Sequence, residues 1–578
     1  MKRVGQLVCA AVLLLAAVAG CTANKDDAEP GVVVHKQVSV IDAKPADSTG
    51  PAKPVPGAKR GGTLYALQEQ DFEHLDPQNV YISDAESVSQ LYARSLTMFA
   101  EDGSGSMRLV GDLATGPGTD VHGDCRVWRY TLKSGLRYQD GSTITAADVA
   151  YGVARSFSPD IYHGPHYIQE WLAGSVNYNA KYKGPYNGGS KTPPGVTVDG
   201  NTITFTFTQP ACDMPFAAAW GTTSPVPATR DTHPLDLDIH PFSSGPYQVS
   251  SYVQGTELVL TRNKYWDAST DPIRHNYFDK LVTYIGATDV QQANRLLASH
   301  GPDANTVGRA NVPPALVPVV QKNASARQRV LAGYLPFVQY LNIDTERVRD
   351  VAVRRAINYA FDRRQFLQVA GGSIVGDPAT TIESPLTIGY QRYDAYPGGP
   401  NGNPAKAKQL LNGRHPTLVY GYANTDLGQK QSLVVKQSLE KAGFKVVLRA
   451  VDKSSYYQQI GLRNAGYDIF ISAWAADWPS GATIIPQLFD GRDLSSNPTW
   501  TWLNEPDINT AIVSLEKQNA TKAAPGWADL DKKIMTEYAP VVPVDYQKNF
   551  SLVGSNVGGV FLSSFVGAPV YYDAYLKQ

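Results

Sequence analysis

One carboxylate between two large aromatic side chains is the clearest chemical feature of the sequence. An apolar run from Ile469 to Ile471 is typical of a buried strand, and it leads into Trp474-Ala-Ala-Asp477-Trp478. Pro479 then ends regular strand pairing. A strand that ends in small residues, aromatic rings and one acid could form a wall of a binding cleft. The alternative is a core strand followed by a turn, in which Asp477 bonds only to local backbone groups.

The composition narrows the class of protein. The chain has 578 residues, enough for two or three domains, and 52 Lys and Arg against 53 Asp and Glu. This balance gives the protein no net positive charge that would attract nucleic acid, so no nucleic-acid partner is expected. Charged residues make up only 18%, whereas tyrosines number 32. A surface of this kind suits a protein that holds ligands by stacking and hydrogen bonding, and it equally suits many extracytoplasmic proteins.

The N-terminal segment has the pattern of an export signal. Lys2 and Arg3 precede an apolar stretch, residues 7–19, which is too short to span a bilayer. Small residues then precede Cys21, which resembles the bacterial lipobox. The sequence therefore predicts a signal peptide over residues 1–20, lipidation of Cys21, and a disordered tether over residues 21–60, rich in Ala, Lys, Asp and Pro. The alternative is an ordinary signal peptide with an incidental cysteine. We expect the protein to be located on the extracytoplasmic face of the cell membrane, with the lipid as its only anchor.

Two further cysteines are expected to form a disulfide in that oxidising compartment. Cys125 precedes a predicted strand, residues 127–132, and Cys212 follows another, residues 202–208. If the two strands pair antiparallel, the cysteines meet at the same end of the ladder.

The order of elements predicts an α/β fold. From about residue 281, strands alternate with longer helical patterns such as residues 351–366 and 429–442. This alternation predicts a largely parallel sheet. Earlier in the chain, Thr145 and Asp148 have the spacing of a capping box that opens a helix.

Enzyme signatures are weak throughout. The sequence has no Gly-x-Ser-x-Gly elbow and no His-Glu-x-x-His zinc site. Ser438 with Lys441 and Ser514 with Lys517 fit Ser-x-x-Lys, but each pair lies in a charged helical pattern with no Lys-Thr-Gly. Residues 184–192 only approach a phosphate loop, and the ten histidines are scattered. We therefore expect no catalysis, no cofactor and no metal site.

Five segments in a fixed order identify a family. They are Gly61-Gly-Thr-Leu64 with Leu75-Asp-Pro77, residues 128–151, Ser244-Gly-Pro-Tyr247 with residues 262–266, residues 354–363 and residues 403–411. Together they resemble the extracellular solute-binding proteins of the peptide/nickel/opine class, the receptor subunits of ABC importers. The long Tyr- and Gly-rich loops of residues 158–200 depart from the pattern of that family.

The resemblance implies two lobes that close over a ligand. Lobe I would comprise residues 61–285 and 540–578, with an extra subdomain over about 96–234, and lobe II residues 286–539. The chain would cross between the lobes near residues 281–285 and again near 541–545.

The resemblance also implies the site. In peptide-binding members the acid at the position of Asp477 receives the α-ammonium group of the ligand, while backbone groups near Ala475 and Ala476 pair with its main chain. Trp474 and Trp478 would flank the ligand, or else belong to the lobe core. Tyr92, which could equally be a core residue, is a weaker candidate. Arg463 is the only candidate for the carboxylate of the ligand, with a solvated surface arginine as the alternative.

These observations predict a monomeric substrate-binding lipoprotein that captures extracellular oligopeptides and delivers them to the permease subunits of an ABC transporter. A receptor of the same fold for an oligosaccharide, an opine or a chelated metal is the alternative, and Asp477 argues against a neutral sugar because such a ligand does not need a buried acid. A role in signalling instead of nutrition stays open.

Overall fold

A computed structural model of the chain describes residues 39–41, 43–161, 164–186, 188–495 and 499–577. The predicted signal peptide and Cys21 lie outside the described residues. Within them, every helix is too short or too polar to cross a membrane.

The strands are short except for two, β13 and β18. In chain order they are β1 Ser39–Ile41, β2 Thr63–Gln68, β3 Thr97–Glu101, β4 Ser106–Gly111, β5 Thr119–Asp120, β6 Val127–Thr131, β7 Val196–Asp199, β8 Thr202–Thr206, β9 Tyr247–Val253, β10 Glu257–Arg262, β11 Lys280–Ile285, β12 Thr306–Gly308, β13 Val330–Ile343, β14 Gly376–Pro378, β15 Thr417–Ala423, β16 Lys445–Val451, β17 Ile469–Ala475, β18 Val541–Leu552, β19 Val557–Gly558, β20 Phe561–Leu562, β21 Pro569–Val570 and β22 Tyr575–Leu576.

The α-helices are also short. They are α1 Ser83–Tyr92, α2 Ala146–Arg155, α3 Tyr167–Ala173, α4 Met214–Ala217, α5 Asp236–Ile239, α6 Asp289–Ala298, α7 Val317–Lys322, α8 Ala324–Arg327, α9 Val351–Ala360, α10 Arg363–Gln368, α11 Pro404–Leu411, α12 Asp426–Lys441, α13 Tyr456–Ile460, α14 Ile485–Phe489, α15 Pro506–Leu515 and α16 Ala520–Lys533. Helix α2 begins with the capping box that the sequence predicts, because the Thr145 side chain accepts from the Asp148 amide and the Asp148 side chain from the Thr145 amide.

A five-stranded sheet organises the first part of the chain. Its order is β12-β2-β11-β10-β9, with β2 parallel to both of its neighbours and β10 antiparallel to both of its own. Leu64, Leu258 and Leu281 are fully buried in its core. The sheet thus joins strands from residue 63 to residue 308.

The first expected crossing, near residues 281–285, is wrong. Strand β11 is internal to the five-stranded sheet, and β12, twenty residues later, pairs with β2 of the same sheet. Helices α6 to α8 then pack with Phe550 and Leu552. Lobe II therefore does not begin at residue 286. The chain crosses along β13 and β18, two antiparallel strands that run from this cluster into the next sheet.

The second large sheet has six strands in the order β14-β18-β13-β17-β15-β16. Strand β15 is parallel to β16 and β17, whereas β13 is antiparallel to β17 and β18, and β14 is antiparallel to β18. The expectation of a largely parallel sheet is therefore wrong, because the two crossing strands enter the sheet in opposite directions. Helices α9, α11 and α12 contribute residues to the apolar core on one of its faces.

Two smaller sheets are built from the strands between β2 and β9 in the chain, together with β1, which precedes β2. One has the order β1-β4-β3 and the other β5-β6-β8-β7. Strands β6 and β8 pair antiparallel, with Val127 opposite Thr206, so Cys125 and Cys212 lie at the same end of the ladder. They form the predicted disulfide, with their Cα atoms 4.8 Å apart.

The described part of the predicted tether is folded. Strand β1 pairs in parallel with β4, the Gly111 amide donates to the Ser48 hydroxyl, and the Ala52 amide donates to the Asp271 carbonyl. Ser48 and Ala52 are buried. The prediction of disorder is therefore wrong for residues 43–60, because their backbone groups bond to the folded core even though their composition contributes few apolar side chains.

The disulfide closes a long loop, with 87 residues of sequence separation. Replacing Cys212 by Ser should lower the free energy of unfolding by about 2–4 kcal/mol, since the open chain gains conformational entropy when unfolded. Urea unfolding of Cys212→Ser, Cys125→Ser and the double variant measures this. All three should lose the same amount; additive losses would contradict the bond.

Candidate functional site

Strand β17 presents the aromatic and acidic residues at its C-terminal end. Trp474 pairs with Val338 and Ala475 with Phe337 of β13, and Ala475 is the last residue of the strand. The turn that follows is held by Thr483. Its hydroxyl accepts from the Asp477 amide (3.1 Å), and its carbonyl accepts from the Trp474 indole (2.8 Å). The backbone of Asp477 is thus fixed without its carboxylate.

The carboxylate of Asp477 is buried, with 4% of the residue exposed. The Tyr81 hydroxyl donates to Oδ1 at 2.8 Å and the Tyr167 hydroxyl to Oδ2 at 2.6 Å. Among the described residues no cation pairs with it. Burial raises the pKa of Asp477 to about 7, while the two tyrosine hydrogen bonds act in the opposite direction. A buried carboxylate held only by hydroxyl groups is ready to accept a cation.

These contacts contradict the alternative in which Asp477 only serves its own turn. Tyr81 precedes α1 and Tyr167 begins α3, so both donors come from distant parts of the chain. Thr483, and not the carboxylate, completes the turn.

Aromatic side chains surround this acid. The Trp220 indole donates to the Asp477 carbonyl at 3.1 Å, and the Trp478 indole donates to Asp213 Oδ2 at 2.8 Å. The ring centroids of Tyr167 and Trp478 are 4.6 Å apart, and those of Tyr81 and Trp220 are 5.6 Å apart. The N-terminal half of the chain and the end of β17 are therefore closed over the carboxylate.

Two cavities adjoin the site. A small one of about 30 Å³ is lined by Tyr81, Trp220 and Asp477 among others. A larger one of about 540 Å³ begins on the far side of Tyr167 and Trp478. Asp213 lines the larger cavity, and burial raises its pKa to about 6, partly offset by the Trp478 indole.

The residues expected from the sequence fall into two groups. Trp474 and Ala475 are half-buried, and Ala476 and Trp478 are buried, all within the segment that carries Asp477. The sequence indicated neither Tyr81 nor Tyr167 nor Trp220. Tyr167 lies in the Tyr-rich loops of residues 158–200 that depart from the family pattern, whereas Tyr81 and Trp220 lie outside them and carry no comparable signal.

Tyr92 and Arg463 are not among the described hydrogen-bond partners of the Asp477 carboxylate. Tyr92 is fully buried at the end of α1, where its hydroxyl donates to the Leu75 carbonyl at 2.7 Å. Arg463 is on the surface, with its Nε donating to Glu346 at 3.0 Å and its guanidinium 5.3 Å from the Trp502 ring. These contacts favour the alternatives, a core residue for Tyr92 and a surface arginine for Arg463.

The fold and the closed, acid-centred cleft define a two-lobed solute receptor, and comparison with known proteins gives the family. The model described as "Bacterial extracellular solute-binding proteins, family 5 Middle" matches residues 108–496, well over half of the chain. The protein belongs to this family of solute-binding proteins. The predicted α/β two-lobe fold is thereby confirmed.

Several relatives cover nearly the whole chain. The glutathione-binding protein GsiB of Salmonella paratyphi A is 23% identical over 527 residues, which is 88% of this chain and 93% of the relative. The solved structure of clavulanic acid biosynthesis oligopeptide binding protein 2 superposes with a TM-score of 0.82 at 27% identity, covering 92% of this chain and 98% of its own. DppA from Helicobacter pylori in complex with peptide STSA gives a TM-score of 0.69 at 18% identity, covering 90% and 99%.

The closed arrangement should depend on pH. A carboxyl with a pKa of about 7 when buried, against 3.8 ordinarily, takes up a proton on closure between these values. Lowering the pH from 8 to 5 should therefore favour the closed form of the unliganded protein. Small-angle scattering and tryptophan fluorescence across this range measure it. Asp477→Asn should weaken the dependence, with the buried Asp213 contributing the remainder; an unchanged titration in that variant would assign the whole dependence to other groups.

Proposed function

We propose that this protein is the substrate-binding lipoprotein of an ABC importer that captures extracellular oligopeptides. The observation that carries the proposal is the buried Asp477 carboxylate, which has no cation partner among the described residues and is covered by Tyr81 and Tyr167. On binding, the α-ammonium group of a peptide takes the place of these hydroxyl groups. A desolvated ammonium group needs an opposite charge, and Asp477 supplies it.

The edge of β17 supports a peptide main chain beside that charge. Strand β15 pairs with β17 only at Ile469 and Phe470. From Ser472 to Ala475, the edge of β17 that faces away from β13 has no strand partner in the described part of the chain. An extended peptide added there satisfies its backbone groups whatever its side chains are, which permits broad specificity.

Aromatic rings line the same edge. The Trp474 ring lies 6.0 Å from the ring of Trp500, in an edge-to-face arrangement, and Trp500 stacks on Tyr457 at 6.0 Å. Tyr457 is largely exposed. These rings offer apolar, adaptable contacts to the side chains of a peptide while Asp477 fixes its amino terminus.

The named ligands of the relatives guide the choice of probes. GsiB is named for glutathione, and the DppA structure holds a tetrapeptide. We propose that the ligand of this chain is of the same chemical class, that the protein works as a monomer, and that it delivers the peptide to the permease subunits.

Asp477→Asn tests the ammonium assignment when combined with an acetylated ligand. Losing the charge opposite a buried ammonium group should cost about 2–5 kcal/mol of binding free energy. Calorimetry with a tetrapeptide and its N-acetyl form should show that acetylation weakens binding to the wild type strongly but to Asp477→Asn only slightly.

The exposed Asp529 on α16 provides the matched control. Asp529→Asn should bind both ligands as the wild type does. Equal affinity of the wild type for the free and the acetylated peptide would exclude Asp477 as the ammonium partner, and tight binding of the free peptide by Asp477→Asn would do the same.

Membrane attachment through Cys21 is the second part of the proposal. Cys21→Ser should remove the thiol that carries the lipid and release the protein from the membrane fraction of expressing bacteria. Fractionation and labelling with a clickable fatty acid measure this. Membrane retention and continued labelling of the Cys21→Ser variant would contradict lipidation at this residue.

A further inference from the structure

A third cavity lies at the opposite edge of the six-stranded sheet. It measures about 630 Å³ and is bounded by the edge strand β14, by β18 and by the loop that follows β14. Four tyrosines and two arginines line it: Tyr334, Tyr390, Tyr396, Tyr546, Arg363 and Arg392. In strand order β18 and β13 separate β14 from β17, so this cavity is about 14 Å across the sheet from the strand that carries Asp477.

Arg363 is the unusual member of this lining. It begins α10, and only 7% of the residue is exposed. Its Nε donates to the Pro543 carbonyl of β18 at 2.7 Å. Within the described residues, neither of its two Nη groups has a hydrogen-bond partner, and the side chain forms no ion pair. Burial lowers the pKa of Arg363 to about 10, and the charge interactions with Asp394 and Tyr546 act in the other direction.

In the described part of the chain, neither of the two carboxylates that line the cavity forms an ion pair with Arg363. Asp377 forms an ion pair with Lys548 at 2.7 Å and accepts from the Tyr334 hydroxyl. Asp394 accepts from the Tyr396 amide at 2.9 Å. Neither neutralises Arg363. Desolvating a guanidinium group without a partner is costly, and an anion supplied from solution offsets that cost.

Arg392 adds a second positive charge to the same lining. It is exposed and has no hydrogen-bond or ion-pair partner among the residues that the structure describes. Two planar guanidinium groups in one cavity lining suit the recognition of an oxyanion. The tyrosine rings give the remaining wall an aromatic and hydrogen-bonding character.

We infer that this cavity is an anion site that holds the carboxylate or phosphate group of a small molecule between Arg363 and Arg392. The site is separate from the peptide cleft at Asp477, and the inference does not depend on the proposed function. The tyrosines contact the body of the ligand, and Arg363 sets the position of the charged group because its Nε is fixed to β18.

Calorimetry of the full chain at constant ionic strength tests this site with two probes, inorganic phosphate and citrate. Both arginines should be required. Arg363→Gln and Arg392→Gln should each weaken binding by about tenfold to a hundredfold, the effect of losing charge-assisted hydrogen bonds. Arg364, the exposed neighbour of Arg363 on α10, is the matched control, and Arg364→Gln should bind as the wild type does.

The results with the two probes distinguish the chemical classes of anion that the site could hold. Saturable binding of phosphate alone identifies a phosphoryl ligand, binding of citrate alone identifies a carboxylate, and binding of both identifies a general oxyanion site; each supports the inference. Absence of saturable binding with both probes overturns it, as does binding that survives Arg392→Gln unchanged. The exposed Arg392 keeps the test decisive if Arg363→Gln does not fold. Asp477→Asn should leave anion binding unaffected, which separates this result from that of the peptide cleft.

Discussion

A charge that is buried without its counterion governs the arrangement of this protein. The Asp477 carboxylate is removed from water at the end of a sheet strand, and two tyrosine hydroxyls from elsewhere in the chain are its hydrogen-bond donors. Hydroxyl groups satisfy the lone pairs of a carboxylate but do not neutralise it, so the closed form carries an electrostatic cost that a cation would remove. The surrounding indoles bond to Asp213 and to the backbone of Asp477, which leaves the carboxylate itself available to a ligand.

Strands β13 and β18 carry the described chain between the region of the first sheet and the six-stranded sheet. Strands β13 and β18 pair along most of their length, with irregular register near Tyr334 and again near Gln339. Strand β17 is attached to the far side of β13. Movement about the crossing strands would therefore separate Asp477 from Tyr81 and Tyr167 without unpairing the strand that carries the acid.

The sequence predicted features that depend on neighbours in the chain and missed those that depend on distant ones. The strand before Asp477 and the capping box at Thr145 follow from local patterns. The pairing of Cys125 with Cys212, 87 residues apart, is an exception, because the two strand patterns beside the cysteines predicted it. The tyrosine donors do not follow from local patterns, because they lie hundreds of residues from Asp477. Strand β12, with three residues, is too short to give a periodic signal, so its return to the first sheet was missed. Composition also misled at residues 43–60, where hydrogen bonds to the folded core and the burial of Ser48 and Ala52 hold the segment in place although it has few apolar side chains.

The folded state of that N-terminal segment changes the reach of the receptor. With β1 paired to β4, fewer than twenty residues separate Ser39 from the proposed lipid at Cys21. Even a fully extended chain of that length spans no more than about 65 Å. The receptor would therefore stay within about that distance of the bilayer, and its β1–β4 side would be the side nearest the anchor. The short connection to the lipid, and not diffusion in the surrounding volume, would set the effective concentration of the receptor at a membrane partner.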